Sequence, residues 1–159
     1  MLFNASKRRL FKHTNNTVID NLLPWIYQSE ALIAHCTQCG DCIDACPEKI
    51  VIKGDGGYPS IDFSRGECTF CGKCADICKA PIFVSTELQP WSKKAQVNNS
   101  CLANLHVYCR SCADSCEVEA LSFQLGVSNA PLINADLCTG CGACFSPCPT
   151  QAIDIKEIE

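Results

Sequence analysis

Sixteen cysteines in 159 residues are the side chains most able to do chemistry in this chain. They form four groups: Cys36, Cys39, Cys42 and Cys46; Cys68, Cys71, Cys74 and Cys78; Cys101, Cys109, Cys112 and Cys116; Cys138, Cys141, Cys144 and Cys148. Three of the four read C-x2-C-x2-C-x3-C. At that spacing a tight loop wraps three thiolates around an iron-sulfur cubane, and the fourth, a helical turn further on, points toward a second cluster. A disulfide scaffold would need an oxidising compartment, and no cleavable secretory signal is visible. A tetrahedral zinc site has no use for a third cysteine at the same step followed by a fourth. No Asp or Gly stands at a ligand position, so three-iron clusters are not expected, and the sixteen thiolates predict four 4Fe-4S clusters.

Shifting the sequence by 70 residues superposes seven cysteines, from Cys39 on Cys109 to Cys78 on Cys148, which indicates a duplicated unit. Cys36 falls on His106, and the missing thiol appears earlier as Cys101, giving C-x7-C-x2-C-x3-C. His106 is therefore read as a loop residue whose imidazole is placed to tune a cluster by hydrogen bonding. Between the first and second groups, β-branched and aromatic runs flank Gly54, Gly56 and Gly57, the pattern of a hairpin; between the third and fourth, the turn falls at Gly126, Asn129 and Pro131. Short helices are predicted to carry the last two cysteines of each group, with Pro47 and Pro149 ending two of them. Gly40, Gly72, Gly140 and Gly142 allow backbone N–H groups to approach cluster sulfurs and also suit ordinary turns.

These elements predict an α+β fold of two tandem bacterial-ferredoxin-like modules, each holding two 4Fe-4S clusters. The expected divisions are a basic N-terminal arm at 1–30, module 1 at 31–85, a linker at 86–100 and module 2 at 101–159. Tandem pairing assigns Cys36, Cys39, Cys42 and Cys78 to one cluster and Cys68, Cys71, Cys74 and Cys46 to the next. Cys101, Cys109, Cys112 and Cys148 would hold the third, and Cys138, Cys141, Cys144 and Cys116 the fourth. The rival arrangement nests the second and third groups inside the first and fourth; the hairpins favour the tandem one because each joins two consecutive groups. Trp91, beside Pro90, is expected to anchor one module on the other.

Composition supports a cofactor-stapled fold. The 47% apolar fraction includes the cysteines, and about 37% without them is thin for cores of this size. A net charge of −4 argues against nucleic-acid binding, and no apolar run is long enough for a transmembrane segment. Four oxidised cubanes would take the charge to about −12, a surface that steers basic partners. Lys7, Arg8, Arg9 and Lys12 make a basic arm on this acidic body, with no acidic residue before Asp20. Arg8 and Arg9 followed by Phe11 and Lys12 resemble a twin-arginine export pattern, yet the polar stretch that follows lacks an apolar h-region and a small-residue cleavage site, so cytoplasmic retention is expected. There is no G-x-G-x-x-G, P-loop or C-x3-C-x2-C radical signature, and the chain is not read as an enzyme.

The irregular third group with Arg110 and Glu117, the GGYPSIDF hairpin and the early arginine pair together resemble, over nearly the whole chain, the NapF family of ferredoxin-type proteins of the periplasmic nitrate reductase system. That resemblance implies a cytoplasmic accessory protein that binds the immature catalytic subunit before export and assists its maturation by electron delivery or cluster assembly. A redox donor protein would be a further partner. The alternative is a polyferredoxin electron carrier or electron-transfer subunit of a reductase complex.

Overall fold

A computed structural model of the chain describes residues 21–124, 126 and 129–158. Lys7, Arg8, Arg9 and Lys12 lie outside the described residues. The elements are short: α1 (Ser29–His35), α2 (Asp41–Ala45), β1 (Val51–Lys53), β2 (Pro59–Ile61), α3 (Lys73–Asp76), β3 (Lys93–Val97), α4 (Ser111–Asp114), β4 (Leu121–Ser122), β5 (Leu132–Ile133) and β6 (Ile153–Glu157). Among the described residues no helix is long and apolar enough to cross a membrane.

The two hairpins form between consecutive cysteine groups. β1 pairs antiparallel with β2, Val51 opposite Ile61, around a 3-10 turn at Asp55–Gly57 in which Gly56 and Gly57 take φ of 64° and 87°. β4 pairs with β5, Leu121 opposite Ile133. Asp62, just past the first hairpin, accepts hydrogen bonds from the Ser64 backbone N–H (3.0 Å) and hydroxyl (2.5 Å) and from Arg65 Nε (3.2 Å). These bonds hold its carboxyl below the usual range, the Ser64 hydroxyl contributing most, and fix the turn into the second cysteine group.

Two expectations are corrected. First, the stretch 86–100 is not a plain linker, because β3 lies within it and pairs antiparallel with β6 along five residues, from Lys93 opposite Glu157 to Val97 opposite Ile153. Alternation hides in KKAQV because a lysine occupies an inward position. Lys93 is 3% exposed, its ammonium donating to the Leu22 carbonyl (3.3 Å) and lying 5.2 Å from the Trp91 ring centre. Second, residues 21–30, grouped with the arm, include Leu22, Leu23, Pro24, Trp25 and Ile26, all buried. The Trp25 N–H donates to the Pro90 carbonyl (2.7 Å) and its own carbonyl accepts from the Val84 N–H (3.0 Å).

One contiguous core runs through both halves, from Leu23, Leu32, Ile50 and Ile61 through Phe63 and Trp91 to Leu121, Ile153 and Ile155. Trp91 is the anchor between them. Its ring meets Phe63 (6.2 Å between centres) and Phe70 (5.4 Å) edge-on, and its indole N–H donates to the Thr139 carbonyl (3.0 Å). Phe63 also lies 6.4 Å from Phe145 and presses on Gly142, where an added Cβ would fall 2.0 Å from the ring. Phe63→Ala removes a buried wedge from this seam, and a loss of about 3 kcal/mol is expected as a lower anaerobic denaturation midpoint of the intact protein.

Candidate metal centres

The four cysteine groups share a local device. In the first two groups a left-handed glycine, Gly40 or Gly72, precedes α2 or α3 and turns the loop into its single helical turn, whereas Arg110 before α4 has φ −136°. The N–H of each fourth cysteine closes that turn on the carbonyl three residues back: Cys46 on Ile43 (3.4 Å), Cys78 on Ala75 (3.2 Å), Cys116 on Ala113 (3.1 Å), Cys148 on Phe145 (3.2 Å). The expectation that the third and fourth cysteines share a helix is corrected in every group: α2 ends at Ala45, α3 at Asp76 and α4 at Asp114, each before its fourth cysteine, and Cys46 is extended (φ −70°, ψ 114°). At Cys46 the reason is Pro47, whose ring disfavours helical geometry in the residue before it. In the fourth group the segment is a turn rather than a helix.

A second device was not legible in residue types. Three residues after the fourth cysteine, Lys49, Glu119 and Gln151 all have positive φ, 56°, 51° and 51°. In the last two the chain then aims the next N–H at the thiol: Ala120 N–H to Cys116 Sγ (3.3 Å) and Ala152 N–H to Cys148 Sγ (3.1 Å). The second group has Pro81 at this position, where positive φ is closed to the ring. Further N–H donors point at Cys36 Sγ from Gln38 (3.4 Å) and at Cys138 Sγ from Ala95 (3.4 Å). The recurring spacing was the available sequence signal, since Lys, Glu and Gln say nothing by type.

The thiols gather in sets. Cys36, Cys39, Cys42 and Cys78 line one cavity of about 560 Å3. Cys46, Cys68, Cys71 and Cys74 line a second of about 20 Å3, and Cys116, Cys138, Cys141 and Cys144 a third of about 10 Å3. Among the described residues no three His, Cys, Asp or Glu side chains gather closely enough to clasp a single ion; the thiols instead surround a volume. Cys101 and Cys109 lie near enough to Cys112 to affect its charge, while His106 stands exposed in left-handed conformation at the end of the 3-10 turn Leu102–Leu105.

Crowding and burial govern the electrostatics. Burial first, then the neighbouring Cys74, Cys36 and Cys78, push the Cys42 thiol up to about 12. Burial does the same to Cys68, raised to about 12 with smaller contributions from Cys74, Cys46 and Cys71 against the Phe70 N–H. Cys74 rises to about 11, through burial and then Cys71 and Cys46 against the Ala75 N–H, and Cys144 to about 12 through burial, Cys141, Cys138 and Cys112. Burial, with Cys101 and Cys109 against the Ala113 N–H, takes Cys112 to about 11. Thiols of this kind stay protonated at neutral pH until a metal displaces the proton. Soft, partly buried thiols with backbone N–H groups aimed at the sulfurs are a donor set that fits iron-sulfur cubanes, which when bound supply reversible one-electron transfer.

Comparison with known proteins agrees in kind. Residues 35–83 match the 4Fe-4S dicluster domain family, and residues 131–154 match the 4Fe-4S binding domain family. The ferredoxin-type protein NapF of Haemophilus influenzae is 46% identical over 138 residues, covering 86% of this chain and 78% of that protein. The chain belongs to the NapF family of ferredoxin-type proteins. The NapF protein of Escherichia coli K12 is 41% identical over 137 residues, covering 85% of this chain and 84% of its own. A probable ferredoxin of Methanosarcina thermophila is 52% identical over 25 residues, 16% of this chain and 43% of that protein. Like these relatives this chain is ferredoxin-type, with 4Fe-4S binding domains in a small fold of mixed helix and strand.

Proposed function

We propose that this NapF-family chain holds four 4Fe-4S clusters in two modules and serves, in the cytoplasm, as an accessory protein to the catalytic subunit of periplasmic nitrate reductase before that subunit is exported. The observation that carries the reading is the meeting of the first three thiols of one group with the last thiol of its neighbour, in a chain of this family. Cys36, Cys39, Cys42 and Cys78 hold the first cluster, and Cys46, Cys68, Cys71 and Cys74 the second. Cys101, Cys109, Cys112 and Cys148 hold the third, and Cys116, Cys138, Cys141 and Cys144 the fourth. The protein delivers electrons to the client, or assists assembly of its cluster, and is not itself a catalyst.

Capture experiments test the client. The chain is expected to retain the cytoplasmic precursor of the catalytic subunit and to release the mature periplasmic form; equal retention of neither would leave only a general electron carrier. The basic arm is proposed to make the contact. Arg8→Ala with Arg9→Ala is expected to weaken precursor capture, most strongly at low salt, with iron content unchanged because no cysteine precedes Cys36. If the arm is an export signal instead, capture survives and the parent protein is recovered, shortened, from the periplasm.

A further inference from the structure

Nothing in cysteine spacing says how the two modules face each other, since either group of one module can be turned toward either group of the other. The seam shows which groups meet. The Cys68 backbone N–H donates to the Cys141 carbonyl across the boundary (2.8 Å), joining the loop of the second group directly to the loop of the fourth. Trp91 reinforces the same joint, packed edge-on against Phe70, two residues from Cys68, while its indole N–H holds Thr139, one residue from Cys138. Phe63 fills the remaining space against Gly142, where a Cβ would overlap its ring. Gly140 is held as closely: a Cβ there would lie 2.2 Å from the Lys93 carbonyl oxygen. Both glycines sit in the fourth group, so that loop is shaped for close contact.

Within each module the groups also touch. Cys78 of the second group lines the cavity of Cys36, Cys39 and Cys42, Cys46 of the first lines that of Cys68, Cys71 and Cys74, and Cys116 of the third lines that of Cys138, Cys141 and Cys144. The contacts therefore form a line: first group to second, second to fourth, fourth to third.

We infer that the clusters of the second and fourth cysteine groups are the neighbouring pair across the module boundary, so that electrons pass between modules there and the clusters run in the order first, second, fourth, third. This inference rests on the four-cluster reading proposed above. When loaded, the clusters held by these two loops would exchange one electron across the boundary, one being oxidised as the other is reduced. No proton or bond changes hands in that step. The first and third groups stand at opposite ends of the line, and an electron entering at one end crosses the joint to reach the other.

Full-length variants retaining two clusters test the order. Cys39→Ala with Cys109→Ala leaves the second and fourth, and Cys71→Ala with Cys141→Ala leaves the first and third. After anaerobic reconstitution and reduction with dithionite, the first variant is expected to show paramagnetic resonance lines split by spin coupling, with that splitting lost in the second. Isolated signals from the second and fourth clusters, or equal splitting in both variants, would overturn the order. A measurement on the unaltered cluster-loaded protein stands beside it, in case the variants do not assemble. Amide exchange at Cys68 is expected to be slow, and rapid exchange there would overturn the joint. Iron and sulfide counts on the same parent sample separate the questions, because a parent without cubanes refutes the cluster reading, whereas a fully loaded parent with an unprotected Cys68 refutes only the order.

Discussion

Stripping the clusters from the anaerobically purified protein is expected to unfold it. Its longest described helix has seven residues and its longest strands five, lengths that do not persist without tertiary support. The core that should supply that support is itself built in part from proposed ligands: Cys46, Cys112, Cys138 and Cys144 are buried members of it. Without metal, the cost of ordering the chain is set against a small apolar core and thiols pushed up by burial. Four cubanes predict about sixteen iron and sixteen acid-labile sulfide per chain before treatment. Chelation or oxidation should then abolish far-ultraviolet dichroism and open apolar surface to dye. Stoichiometric zinc with little sulfide would end the cluster reading, and unchanged dichroism after complete iron loss would show that the apolar core suffices alone.

Cys46→Ser is expected to damage the cluster of the second group although Cys46 belongs to the first. Its side chain lines the cavity of Cys68, Cys71 and Cys74, and its charge raises both Cys68 and Cys74. Serine is a harder, less readily ionised donor than thiolate, and at this buried position it leaves a hydroxyl with little access to water. The variant should lose the same spectral component as Cys71→Ser, with iron falling by up to about four per chain, and keep the component lost in Cys39→Ser. Cys78→Ser should do the reverse and match Cys39→Ser, because Cys78 shares the cavity of Cys36, Cys39 and Cys42. If Cys46→Ser matched Cys39→Ser, each group would bind its own cluster and the exchange of fourth cysteines would be wrong.

The sequence by itself determined the chemistry and the local geometry that serves it. Four cysteines at fixed steps specify a loop and one turn whatever surrounds them, because the spacing acts over fewer than a dozen residues. The hairpins were equally legible, since Gly56 and Gly57 supply the positive φ their turn needs and Val51 and Ile61 turn inward. The family, too, could be read from the irregular third group, in which Cys101 precedes the position, held by His106, where the 70-residue shift would place a cysteine. Only the tertiary structure decided that residues 93–97 are a strand and residues 22–26 part of the core. Lys93 can occupy an inward position because Leu22 offers a carbonyl and Trp91 a ring, partners that exist only once the chain has folded back. The meeting of the second group with the fourth was hidden for the same reason: one backbone hydrogen bond from Cys68 to Cys141 and the space left by Gly142 for Phe63 carry no periodicity along the chain, being set by complementary shape across it.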